Sequence, residues 1–122
     1  MEFKIIDNLV YKVITIETKS GQATVEEFYD SKFHIKLSTD KPTITANGTD
    51  AATITAKVYN YLDEPQTDWT GEIIFELDGE QQAIQTTNGE VSITVQSEDT
   101  GKLVIRTAIP NFRNGEVEVT AV

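Results

Sequence analysis

Hydrophobic and polar positions alternate with a period of two along most of the chain. EVEVTAV (116–122) sets Val117, Val119 and Ala121 on one face and Glu116, Glu118 and Thr120 on the other, the alternation of a half-buried strand. EVSITVQ (90–96) places Val91, Ile93 and Val95 inward by the same rule, and ATITAKVY (52–59) places Ile54, Ala56 and Val58 inward. LVYKVITIE (9–17), EIIFEL (72–77) and KLVIRTAI (102–109) are rich in Val, Ile, Thr and aromatic residues, as strands are. No segment sustains an apolar i, i+3, i+4, i+7 pattern. ATVEEFYDSKF (23–33), with two adjacent glutamates, is the one ambiguous stretch, and its neighbours favour a strand.

Turn residues stand where these runs stop. Asp7-Asn8, Ser20-Gly21, Asn47-Gly48, Asp78-Gly79, Asn88-Gly89, Thr100-Gly101 and Asn114-Gly115 tolerate positive φ. Pro42, Pro65 and Pro110 lie between runs, as residues without an N–H must. Strands are expected at roughly 2–6, 9–18 and 22–29, then at 35–39, 52–60, 72–77, 81–86, 90–97, 102–109 and 115–122. Seven strands in the second set match the arithmetic of an immunoglobulin-like sandwich. The expected fold is therefore all-β, an antiparallel immunoglobulin-like sandwich (36–122) preceded by a small N-terminal β-meander (1–35). Ile54, Val58, Ile73, Phe75, Ile93, Val95, Val104 and Val119 are its expected core.

The stretch 37–77 carries a more specific signal. Asp40, Lys41, Ile44, Ala46, Gly48, Asp50, Ala52, Ile54, Thr55, Ala56 and Val58 fit a D-K-x-x-I-x-A-x-G-x-D-x-A-x-I-T-A-x-V pattern. Pro65 and Phe75 follow, then Thr86, Gly89, Val91, Ile93 and Val95 in a T-x-x-G-x-V-x-I-x-V strand. This pattern resembles bacterial immunoglobulin-like repeats of the invasin and intimin type, over about two-thirds of the chain. The resemblance implies a non-enzymatic module, used as a spacer or adhesive unit on bacterial surface proteins and also found on phage virion proteins. The chain shows a single repeat, and Met1–Asn8 lacks the basic start and apolar run of a secretory signal. The expectation is therefore a phage or prophage virion protein of capsid or tail, assembled in the host cytoplasm. The alternative is an adhesion or spacer module of a secreted or cell-surface bacterial protein, cut from a longer chain.

Composition narrows the partners. Twenty acidic residues against ten basic ones give a formal charge of -10, which disfavours nucleic acid and anionic membrane surfaces. There is no cysteine, so thiolate metal sites and thiol nucleophiles are excluded. No cofactor is implied. Other virion proteins, or a second copy of the chain, are the expected partners, with a host-surface glycan or protein beside them.

Individual residues carry little catalytic signal. His34, the single histidine, alternates with Phe33 and Ile35 and is expected at a surface strand position. Asp63, Glu64 and Asp68, and separately Asp40 and Asp50, lack the dense spacing of a cation loop and suit a solvated acidic face. Glu26 and Glu27 are consecutive in a strand and point to opposite faces, so they cannot flank one glycosidic bond. Asn47-Gly48-Thr49 matches a glycosylation acceptor but is better understood as a turn.

The candidate interaction surface is aromatic and apolar: Leu9, Tyr11 and Val13 on the meander, with Tyr59, Tyr61 and Trp69 beyond it. Trp69 also suits a plug at the end of the sandwich. Residues 1–35 carry far more apolar surface than a solvated tail, and LVYKVITIE is apolar on both faces. The meander is accordingly expected to carry the assembly contact.

Overall fold

The computed structural model describes residues 2–122, so residue 1 of the expected meander lies outside the described residues. Every element in it is a strand. The first sheet is antiparallel, in the order β1 (Glu2–Ile6), β2 (Leu9–Thr18), β3 (Gly21–Ser31). Two further sheets form a sandwich. One contains β4 (Phe33–Thr39), β6 (Ala51–Asn60) and β9 (Glu90–Gln96), in the order β4-β6-β9. The other contains β5 (Thr43–Ile44), β7 (Glu72–Leu77), β8 (Glu80–Gln85), β10 (Gly101–Thr107) and β11 (Glu116–Ala121), in the order β5-β11-β10-β7-β8. The chain thus passes from one sheet to the other five times, at β4–β5, β5–β6, β6–β7, β8–β9 and β9–β10, as an immunoglobulin-like sandwich does.

The expected strands are present, with one addition. β5 is two residues long and pairs parallel with β11, Thr43 opposite Thr120 and Ile44 opposite Ala121. The sandwich is therefore not wholly antiparallel, and it has eight strands where seven were expected. Three two-residue turns hold both central residues at positive φ: Asp7-Asn8 (52° and 65°), Asp78-Gly79 (52° and 79°) and Asn88-Gly89 (56° and 69°). This is the primed turn geometry whose twist suits a hairpin. Asn114-Gly115 departs from the turn expectation. The Asn114 side chain instead holds the backbone at Ile109, accepting from its N–H at 2.9 Å and donating to its carbonyl at 3.0 Å. Gly115 is required by close approach, since a Cβ there would lie 2.7 Å from the Ile35 carbonyl oxygen.

The core lies between the two sandwich sheets. Ile54, Val58, Ile73, Phe75, Val95 and Val119 are buried there as expected. Val104 is not. β10 presents Leu103 and Ile105 inward, because Leu103 sits opposite Val119 and Ile105 opposite Val117 on the inner face of β11. Three successive apolar residues leave the alternation undecided, and the neighbouring strand decides it. Ile93 is only half-buried. It lies on the edge strand β9, beside a groove of about 360 Å³ between β8 and β9 lined by Leu77, Gln82 and Val95 among others.

Candidate interaction surface

The register of the first sheet sorts its side chains onto two faces. Residues opposite one another across a ladder share a face. Leu9, Tyr11 and Val13 lie opposite Ile6, Lys4 and Glu2 of β1. On the other side, Tyr11 and Val13 lie opposite Phe28 and Glu26 of β3. Tyr11 and Phe28 meet edge to face with centroids 6.1 Å apart. Lys4 donates to Glu26 at 2.8 Å, and that hydrogen bond, with the attraction of the same carboxylate, holds the ammonium above its ordinary value.

Phe3, Ile5, Val10, Lys12, Ile14 and Ile16 occupy the opposite face, with Val25 opposite Ile14 and Ala23 opposite Ile16. The register shifts between Val10 and Tyr11, because β3 has one extra residue, Tyr29, between the partners Phe28 and Asp30. This bulge accompanies a contact of Tyr29 with Phe3, centroids 4.9 Å apart. Phe3 in turn meets Tyr61 at 5.7 Å. Val10, on the same face, is fully buried.

That face meets the sandwich only near its base. The Lys32 N–H donates to the Asn8 carbonyl at 2.7 Å, and the Asn111 amide donates to the Asp7 carbonyl at 2.8 Å. His34 corrects the sequence expectation of a surface position. Its side chain is 12% exposed, and Nε2 lies 3.0 Å from Asp30 Oδ2. The two make a close contact without an aligned hydrogen bond. Arg113 approaches the same carboxylate oxygen at 3.7 Å. The junction between β3 and β4 is thus braced by one acid between two nitrogen bases.

Much of the sheet is exposed. Among the described residues, eight large hydrophobics are exposed, and six of them are Ile5, Ile6, Ile16, Val25, Phe28 and Tyr29. Isolated exposed apolar residues are ordinary, whereas six on one small sheet, spread over both of its faces, are a concentration.

The six residues singled out in the sequence do not form one patch. Leu9, Tyr11 and Val13 lie together on the meander and are half-buried. Tyr61 contributes to the junction through Phe3. Tyr59 lies under Lys36, whose Nζ is 4.2 Å from the ring centroid. Trp69 is elsewhere, packed at 6.1 Å from Phe33 and 5.8 Å from Phe112 against the core. It is the plug at the sandwich end. Gly71 makes room for it, since a Cβ there would lie 2.7 Å from the indole.

The acidic residues are occupied locally. The Thr45 N–H, followed by Lys41, holds the Asp50 carboxyl below its ordinary value, at 2.7 Å and 3.0 Å respectively. Lys36 does the same for Asp63, and Asp40 accepts from the Thr53 N–H at 2.7 Å. Among the described residues, no three His, Asp or Glu side chains are grouped to hold a metal ion. Asn47 Oδ1 accepts from the N–H groups of Thr49 and Asp50, which makes Asn47-Gly48-Thr49 a braced turn.

With this geometry in view, comparison with solved structures is informative about fold. The D00-D0 domain of Intimin superposes with a TM-score of 0.57 at 20% identity, covering 95% of this chain and 65% of that one. The fold is immunoglobulin-like, similar to that of this domain. Two structures of a glycosyl hydrolase family 2 member from Bacteroides cellulosilyticus superpose with TM-scores of 0.65 and 0.63, each at 16% identity. They match 94% and 93% of this chain but only 17% and 18% of their own lengths. The chain thus spans a small part of those hydrolases and less than two-thirds of the Intimin domain pair. No family model matches it, and no curated protein matches it at a significant level.

Proposed function

We propose that this chain is a non-enzymatic structural and interaction module of a bacterial surface protein. In this reading the sandwich is a rigid body, and the β1–β3 sheet is the surface that docks. The observation that carries it is the concentration of exposed large hydrophobics on that sheet. A second support is the combination of the sequence pattern at 40–58 with the fold likeness to the Intimin domain, which favours the bacterial surface over the virion setting expected from the sequence. The virion setting shares the same body and the same docking sheet, but none of the compared proteins favours it.

An antibody against the folded chain, applied to intact cells and to purified phage particles of the source organism, tests the setting. Label on intact, unpermeabilised cells is the expected result. Label confined to phage particles transfers the module to the virion, and label released only by lysis overturns the surface reading. Docking is tested by adding labelled chain to the same cells. The double variant Val25→Ser, Phe28→Ser should bind them at least about tenfold more weakly with an unchanged melting temperature. Equal binding would remove the sheet from the docking role.

A further inference from the structure

The long outer edge of β3 identifies a specific partner for the docking sheet. β3 has eleven residues, about 36 Å of strand, and among the described residues no strand pairs with its outer side. Every residue from Gly21 to Tyr29 is exposed. Free edges of this length are ordinarily blocked by charged side chains, lysine above all, by proline or by a bulge. β3 contains no lysine and no proline, and its bulge falls at Tyr29, beside the sandwich. The stretch Gly21–Phe28 is left regular and open.

Its charges are already answered within the chain. Glu26 is paired with Lys4 at 2.8 Å, Glu27 lies opposite Lys12, and Asp30 contacts His34 and Arg113. The edge therefore asks for no cationic partner, which separates it from an ordinary acidic surface.

We infer that β3 pairs antiparallel with β3 of a second copy of this chain, about a two-fold axis at Thr24, joining two three-stranded sheets into one of six strands. The inference rests on the docking role proposed above and names the partner. A two-fold of this kind places Thr24 opposite its own copy, Ala23 opposite Val25, and Gln22 opposite Glu26. Ala23 and Val25 share a face with Ile16 and Ile14, so an apolar row of Ile16, Ala23, Val25 and Ile14 crosses the joint twice. On the other face, the Gln22 amide reaches a carboxylate. No like charges lie opposite one another, whereas a two-fold centred on Glu26 would set that residue against itself.

Charge also predicts how the pairing responds to salt. Residues 1–31 carry six acids and three lysines, while residues 32–122 carry fourteen acids and seven cations. Two bodies of net -10 repel at long range, and salt screens that repulsion. Dimerisation should therefore strengthen as salt rises, opposite to the behaviour of a basic partner on an acidic strand.

Sedimentation equilibrium of the full chain in low and high salt provides the test. The expected result is a dimer favoured by salt and weakened more than about tenfold by Val25→Lys, a charge placed inward on an edge. Leu62→Lys, at a still more exposed hydrophobic of the sandwich, should leave it intact. Because the chain has no cysteine, Thr24→Cys gives a clean cross-link: oxidation should join copies through position 24. Gln22→Cys alone should not join, but mixed with Glu26→Cys it should. A monomer at the highest soluble concentration overturns the inference. So does a dimer indifferent to Val25→Lys, or one that Thr24→Cys fails to cross-link. None of these outcomes alters the cell-binding test of the docking role, so the two readings fail separately.

Discussion

The sandwich and the β1–β3 sheet are built from the same residue types with the same alternation, and they end in opposite states. In the sandwich, Ile54, Ile73 and Ile105 are fully buried, whereas Ile5, Ile16 and Val25 in the first sheet are more than 40% exposed. The difference is the second layer. A sheet hides one face only by packing on another element, and β4-β6-β9 has β5-β11-β10-β7-β8 across from it. The first sheet has the sandwich only at its base, where Val10 is buried. A strand's own sequence is thus a statement about which faces can be buried, and the neighbours decide which are.

Core truncation should show this contrast at its largest. Ile54→Ala is expected to destabilise the sandwich by about 2–5 kcal/mol, the cost of a cavity in a packed site. Val25→Ala on the first sheet should cost less than about 1 kcal/mol, because its side chain is half in water already. Urea unfolding of both variants checks the pair, and equal costs would mean that the first sheet is covered in solution. Ile93→Ala should fall between them, since the edge position of β9 leaves Ile93 half-buried.

Glycine substitutions sharpen the same comparison at the backbone. Gly89 has φ +69°, and a Cβ there would lie 1.9 Å from the Gln66 carbonyl oxygen. Gly21, the first residue of β3, has φ +128° with nothing within 4 Å of a Cβ. Gly89→Ala should therefore cost about 2–3 kcal/mol, combining torsional strain with a displaced loop, and Gly21→Ala about 1 kcal/mol from strain alone. Thermal midpoints of the two variants are the measurement. A larger loss at Gly21 would indicate that the turn is packed against something.

The smallest effects come from the exposed ion pairs, and they separate by pH. Asp50 is depressed in the folded chain by the Thr45 N–H and then by Lys41, from an ordinary 3.8. Its stabilisation is present above that value and is lost as pH falls through the lower folded one. Lys4 is raised by Glu26 from an ordinary 10.5, so its stabilisation is present below that value and is lost as pH rises through the higher folded one. The difference in melting temperature between wild type and Asp50→Ala should shrink in acid, and that for Lys4→Ala in strong alkali. Both should also shrink in high salt.

Much of this architecture was legible in the residues. Strand positions followed from alternation, and three of the turns followed from Asp or Asn paired with a residue free to take positive φ. The inner set Ile54, Ala56 and Val58 followed because Thr55 and Lys57 interrupt it. Where apolar residues run together, as in Leu103-Val104-Ile105, local pattern cannot choose a face, and pairing with Val117 and Val119 on β11 makes the choice. β5 was beyond local reading altogether: two residues carry no period, and Thr43–Ile44 is a strand only because β11 runs beside it. His34 alternates as a surface residue would, yet the turn of the chain at Lys32 folds Asp30 back against it. The candidate surface divided in the same way. Sequence alone determined that residues 9–17 are apolar on both faces, since hydropathy is a property of each side chain. Only the tertiary structure decided that Trp69 belongs to the core end, that Tyr61 meets Phe3, and that β3 remains an open edge, because exposure depends on contacts between segments far apart in the chain.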